Sequence, residues 1–196
     1  MTRIVDRGAI TAAYVGIGMA VTTAVSFLLV IPIEPIYWFL ALPAGLLIGY
    51  YANQRSDRRK GPWSRIIANA IFAGVITGLA MGVLLLPIKG LFFFADSGYP
   101  DFNRVDPNTH QVIAPFCDAG AACVYARYLA NGSGPDFAAA GITDVDGFSR
   151  LYWGQQFSTA GTLIGLTVIG GLVGGLAYGA TRPKPRPLAS AEGVGA

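Results

Sequence analysis

Four stretches of the chain carry no acidic or basic side chain: Ile10–Ile31, Ile36–Ala52, Ile66–Ile88 and Phe157–Ala180. The hydrocarbon core of a bilayer is about 30 Å thick and takes roughly 20 apolar helical residues to cross. In that core every backbone N–H and C=O must find its partner inside the protein, so uninterrupted apolar runs of this length are predicted to be helices. The rest of the composition agrees. Charged residues are 13% of the chain and hydrophobic ones 53%, with 26 glycines, against about 25% charged in ordinary soluble domains. A water-soluble domain and a disordered chain are both excluded on this reading. The predicted fold class is an all-α integral membrane protein: four transmembrane helices, with a long, partly helical outer loop between helices 3 and 4.

The first stretch follows Arg3, Asp6 and Arg7 but exceeds a signal-peptide core and lacks a following A-x-A site, so it reads as a retained helix. Pro32 and Pro35 flank Glu34 in a tight connection to the second stretch, and Pro43 inside that stretch is expected to kink it. Leu91–Phe94 after the third stretch reads as interfacial, with Lys89 snorkelling toward head groups.

Basic residues flank these stretches in three clusters: Arg3 and Arg7; Arg55, Arg58, Arg59, Lys60 and Arg65; and Arg182, Lys184 and Arg186. With four crossings all three fall on one side, which the positive-inside rule makes cytoplasmic. That placement argues against nucleic acid as the partner of a chain of net charge +3. Residues 1–94 then hold helices 1–3 and the basic 53–65 loop. Residues 95–156 form an extracytoplasmic cap, 157–181 the fourth helix, and 182–196 an unordered cytoplasmic tail. Tyr37, Trp38, Trp63, Tyr152 and Trp153 sit at stretch ends, as interfacial aromatic belts do. The expected location is a bacterial inner membrane.

A loop of this length calls for its own fold. Asp118 is expected to cap a helix over Ala119–Ala130 that stops at Asn131-Gly132. Thr143-Asp144-Val145-Asp146 fits a capping box, so the fourth helix is expected to start near Asp144 and run inward unbroken. Cys117 and Cys123 lie on the oxidising side of this topology and are expected to form a disulfide, with Cys117 folding back over the first turn.

Chemistry-bearing residues are few. His110 is the single histidine and reads as a solvent-facing loop residue; it excludes bis-histidine haem, and no G-x-S-x-G elbow accompanies it. Asp101, Asn103 and Asp106 are hard oxygen donors and weak candidates for a cation, but the run lacks the EF-hand glycine and terminal Glu, turn chemistry is the favoured explanation, and no metal is predicted. Asn131-Gly132-Ser133 is a sequon whose residues also form the helix stop. No ionisable group is embedded in the spans, which argues against a proton-coupled carrier. The embedded polar residues are Thr22, Thr23, Ser26, Thr77, Ser158, Thr159, Thr162 and Thr167, which commonly bond back to their own helices. No catalytic set is predicted.

Glycine is the positive signal. Gly45 and Gly49, then Gly74, Gly78 and Gly82, then Gly161 and Gly165, and finally Gly170, Gly171, Gly174 and Gly175 recur at spacing four. Such spacing makes a flat helix face that lets backbones approach in lipid, where the hydrophobic effect supplies no association. The adjacent stripes Gly170/Gly174 and Gly171/Gly175 suggest two neighbours for the fourth helix, one of them another protein chain, or a flat lipid or pigment. Apart from that, no cofactor is expected. The plan of four helices with a short and a long outer loop is similar to that of tetraspanins, whose Cys-Cys-Gly motif and further loop cysteines are missing here, so nothing carries over. The leading expectation is a non-catalytic accessory or scaffold subunit of a larger membrane complex, with membrane lipids and other subunits or a second copy as partners. A passive channel or facilitator for a small solute and an outer-face ligand-binding module are the alternatives.

Overall fold

The computed structural model describes residues 4–30, 34–57, 61–95, 108–111 and 117–181, and among these every regular element is helical. Helix α1 spans Arg7–Ala24 and continues in a wider π-helical stretch over Val25–Val30; α2 spans Glu34–Arg55 and α3 Trp63–Ala95. Two short helices follow, α4 over Ala121–Tyr128 and α5 over Gly134–Ala139, and then α6 over Val145–Thr181. Four helical segments are long and apolar enough to cross a membrane: Arg7–Leu28, Pro35–Arg55, Trp63–Ala95 and Val145–Thr181. All four expected spans are therefore present as helices.

Helices α2 and α3 pack on each other and form two crevices. Helix α1 fills one and α6 the other, so α1 and α6 scarcely meet. At the basic-loop end the bundle is pinned by amides. The Asp6 backbone N–H donates to Asn69 Oδ1 (3.1 Å), and Asn69 Nδ2 donates to Asp6 Oδ2 (2.7 Å) and Asn53 Oδ1 (3.4 Å). Asn53 Nδ2 in turn donates to the carbonyls of Gly49 and Ile66. These bonds tie the starts of α1 and α3 to the end of α2. At the other end, Tyr37 is fully buried and its hydroxyl donates to the Met81 carbonyl at 2.7 Å. Tyr37 is thus a core anchor rather than a belt residue: its ring is packed inside the bundle and its hydroxyl is satisfied by a backbone carbonyl instead of by the interface.

At 1.5 Å per residue, the 33 residues of α3 and 37 of α6 reach roughly 50 and 55 Å, well beyond a 30 Å core. Their ends remote from the basic loop accordingly leave the bundle and build the cap. This corrects the expected interfacial stop after Ile88: Leu91–Phe94 is helical, and Phe93 is buried in the cap rather than lying in an interface. Lys89 is 9% exposed and does not snorkel outward. Tyr152, expected in an aromatic belt, is buried in the same cap.

The cap core is aromatic. Phe93, Val124, Phe137, Phe148 and Tyr152 are buried together, with Tyr125, Tyr128 and Trp153 packed against them. Phe93 and Tyr152 stack with centroids 4.5 Å apart, and Phe137 meets Phe148 edge-on at 5.4 Å. Cys117 and Cys123 are joined in a disulfide, with Cα atoms 5.6 Å apart. The expected Asp118 cap is not made. Helix α4 begins at Ala121 behind Gly120, whose φ of 111° is left-handed and carries the chain over from the disulfide. The expected break at Asn131-Gly132 occurs within a π-helical turn over Leu129–Ser133, where Gly132 has φ 92°. Helix α6 starts where the capping pattern placed it, with Asp144 as the capping residue: its Oδ1 accepts the Gly147 N–H at 2.6 Å.

Candidate functional site

Helix α6 concentrates the residues that sequence reading singled out, and it presents three different glycine faces. The first meets α2. A Cβ added at Gly170 would run into the Leu42 carbonyl oxygen, and one at Gly174 into that of Leu46. From the α2 side, Gly45 faces the Thr167 backbone and Gly49 the Gly171 backbone. The second face meets α3. A Cβ at Gly171 would lie 2.8 Å from the Ala70 oxygen, and one at Gly175 would lie 2.6 Å from the Ala70 Cβ. Gly74 and Gly78 answer from α3 against Thr167 and Ile164, and Gly82 against Ala160. Both adjacent stripes are therefore occupied by this chain's own helices. This overturns the expectation that Gly170/Gly174 or Gly171/Gly175 serves another chain, a lipid or a pigment. Two crevice walls, α2 and α3, account for two stripes.

The third face is open. Gly154, Gly161 and Gly165 have nothing within 4 Å of an added Cβ, and all three are exposed. Ser158 lies among them and is exposed, and Phe157 beside them is an exposed large apolar residue. This face occupies the N-terminal half of α6, between the cap and the close-packed C-terminal half.

The embedded hydroxyls behave as their type predicts. Thr22, Thr77, Thr162 and Thr167 each donate to a carbonyl of their own helix three or four residues back, at 2.8–3.0 Å. In these four of the eight residues the hydroxyl proton is committed to the helix's own backbone.

Between cap and bundle the chain buries three polar side chains: Lys89, which was expected to snorkel, and Arg127 and Gln156, which sequence reading did not single out. Arg127 of α4 is 3% exposed and Lys89 of α3 is 9% exposed. Gln156 of α6 is 6% exposed, and its Oε1 accepts no hydrogen bond among the described residues. Tyr152, one turn before Gln156, donates its hydroxyl to the Lys89 carbonyl at 3.4 Å. An unsatisfied buried amide oxygen costs roughly 1–3 kcal/mol. Gln156 at a span boundary is indistinguishable in sequence from an exposed Gln155, so no local signal could have marked it. Asn53 and Asn69 were likewise passed over, although an asparagine inside an apolar run is a usable signal.

The remaining candidates are dispersed. His110 is exposed in a turn with φ 53°. Asp101, Asn103 and Asp106 lie outside the described residues, and among the described residues no group of three or more His, Cys, Asp or Glu side chains is placed to hold a metal. Asn131 of the sequon is exposed. No protein-family model matches the chain, and the comparisons with curated proteins and with solved structures found nothing similar to it.

Proposed function

We propose that the chain is a non-catalytic accessory or scaffold subunit of a larger membrane assembly, docking through the outer half of α6. In this reading both termini and the basic loop face the cytoplasm, the cap faces outward, and the host is a bacterial inner membrane. One observation carries the proposal: the open glycine face at Gly154, Gly161 and Gly165 on a helix whose other two glycine faces are filled. A flat, exposed face in lipid is the surface on which a second transmembrane helix packs most closely. The site of docking thus moves outward along α6 from the stripes that sequence reading favoured.

The filled stripes weigh against the channel alternative in a single chain. Backbone lies on backbone along α2–α6 and α3–α6, and contacts of that kind leave no lumen between the helices. The few chemistry-bearing residues support a non-catalytic role. The test compares Gly161→Ile with Gly165→Ile in the full chain, isolated from membranes in a mild detergent. A Cβ at either position has nothing within 4 Å among the described residues, so thermal stability of the monomer is expected to hold while co-purifying subunits or the dimer are lost. Unchanged assembly in the double variant would overturn the reading. A single Cys at Ser133, labelled only from the cytoplasmic side, would overturn the topology.

A further inference from the structure

We propose that the basic-loop end of the bundle binds anionic phospholipid headgroups through arginines contributed by three helices. Arg7 opens α1, Arg55 closes α2, and Arg65 lies in the first turn of α3. They are brought together by close backbone contact. A Cβ at Gly8 would lie 2.5 Å from the Arg55 carbonyl carbon and 2.6 Å from Ser56 Oγ, so the starting turn of α1 sits directly on the last turn of α2. The bond from Asn53 to the Ile66 carbonyl holds the start of α3 against the same turn. Arg7 and Arg55 are exposed and Arg65 half-exposed.

The residues near them in sequence are mostly basic. Arg58, Arg59 and Lys60 lie in the connection between α2 and α3, and Arg182 directly follows α6. Of the two carboxylates nearest in sequence, Asp6 accepts a hydrogen bond from Asn69, while Asp57 is exposed two residues beyond α2. Basic residues at this end are almost all arginine, whose planar guanidinium donates two parallel bonds to a phosphate, where lysine offers a point charge. Trp63 fixes the depth. It is 44% exposed, and its ring lies against Gly179 at the end of α6. A half-exposed indole beside the ends of apolar helices belongs at headgroup level. The arginines therefore meet lipid phosphates without leaving the bilayer surface, which favours lipid over a soluble polyanion. The inference is independent of which partner docks on α6.

Native mass spectrometry of the full chain in mild detergent, with phosphatidylglycerol and phosphatidylcholine supplied in equal amounts, tests it. Juxtamembrane basic residues contribute about fivefold each to anionic-lipid binding. The wild type should retain phosphatidylglycerol preferentially, and the triple variant Arg7→Gln, Arg55→Gln, Arg65→Gln should lose roughly a hundredfold of that preference. If the triple variant fails to fold, the wild type at about 0.5 M salt provides the second reading, because screening at that strength should erase the preference. Equal retention of the two lipids by the wild type would overturn the proposal. So would a preference that neither the variant nor salt reduces, or displacement of phosphatidylglycerol by a short single-stranded RNA at equal charge concentration.

Discussion

The glycine-rich half of α6 and its cap end solve the same packing problem with opposite means. The glycine-rich half carries glycine at 170, 171, 174 and 175, and it docks by setting its backbone against the backbones of α2 and α3. The cap end buries Phe148 and Tyr152 among Phe93, Phe137, Tyr125 and Tyr128. Helices apolar enough to cross a membrane gain nothing in lipid from removing apolar area from water, so close approach and dispersion are what such a glycine-rich face offers. In the cap, large rings removed from water supply the stabilisation directly. One helix thus changes its packing chemistry along its length.

The sharpest way to break this contrast is Gly174→Leu. The new side chain meets the Leu46 carbonyl oxygen, which cannot move without moving α2. Overpacking in a core costs 1–3 kcal/mol and more where backbone must shift. The expected outcome is loss of the folded monomer, read by detergent unfolding. Gly161→Leu on the open face should leave the monomer unchanged in the same assay. A Gly174→Leu chain as stable as wild type would dissolve the distinction.

Phe148→Ala probes the other half. It removes a buried ring and should cost about 3–5 kcal/mol. The loss is expected to stay in the cap: α4 and α5 amides should lose hydrogen-exchange protection, while the inner amides of α2 and α6 keep theirs. Reducing the Cys117–Cys123 disulfide should act on the same region more mildly. A ring closed across six residues is worth about 2 kcal/mol in the loop-entropy model. Thermal unfolding in reductant should show an earlier cap transition and an unaltered bundle transition.

Smallest in magnitude is Gln156→Leu, at the seam between the two halves. Its amide oxygen accepts no hydrogen bond among the described residues, so an isosteric apolar residue is expected to raise stability by about 1 kcal/mol. A measured decrease in melting temperature would show that the amide is engaged, and would favour the outer-face binding alternative at the seam.

The features legible in the sequence were those fixed by local rules. Apolar run length set the four spans, and Asp144 three residues before Gly147 set the start of α6. Glycine spacing identified the faces, but it holds no information on what lies opposite. Which stripe met α2, which met α3 and which stayed open depended on the crossing of distant helices. Asp118 failed as a cap because the disulfide and the left-handed Gly120 carry the chain past it. Tyr37 and Tyr152 were misread because an aromatic near a span end looks the same whether it faces lipid or a neighbouring helix. Lys89 was expected to snorkel and Gln156 drew no notice, yet both are buried, because burial at a span end depends on which distant helices pack there and not on the neighbouring sequence.

The unbroken run of α6 from Val145 to Thr181 carries a consequence for how such a gene can change length. Each residue of an α-helix advances it about 1.5 Å and turns it about 100°. Inserting or deleting one codon between Gln156 and Gly170 would rotate the cap-facing side chains away from Phe93 while the inner glycines stayed in their crevice. The helix is therefore phase-locked at both ends, and viable descendants should accumulate their insertions and deletions in the connections before Ala121 and after Thr181, never within it.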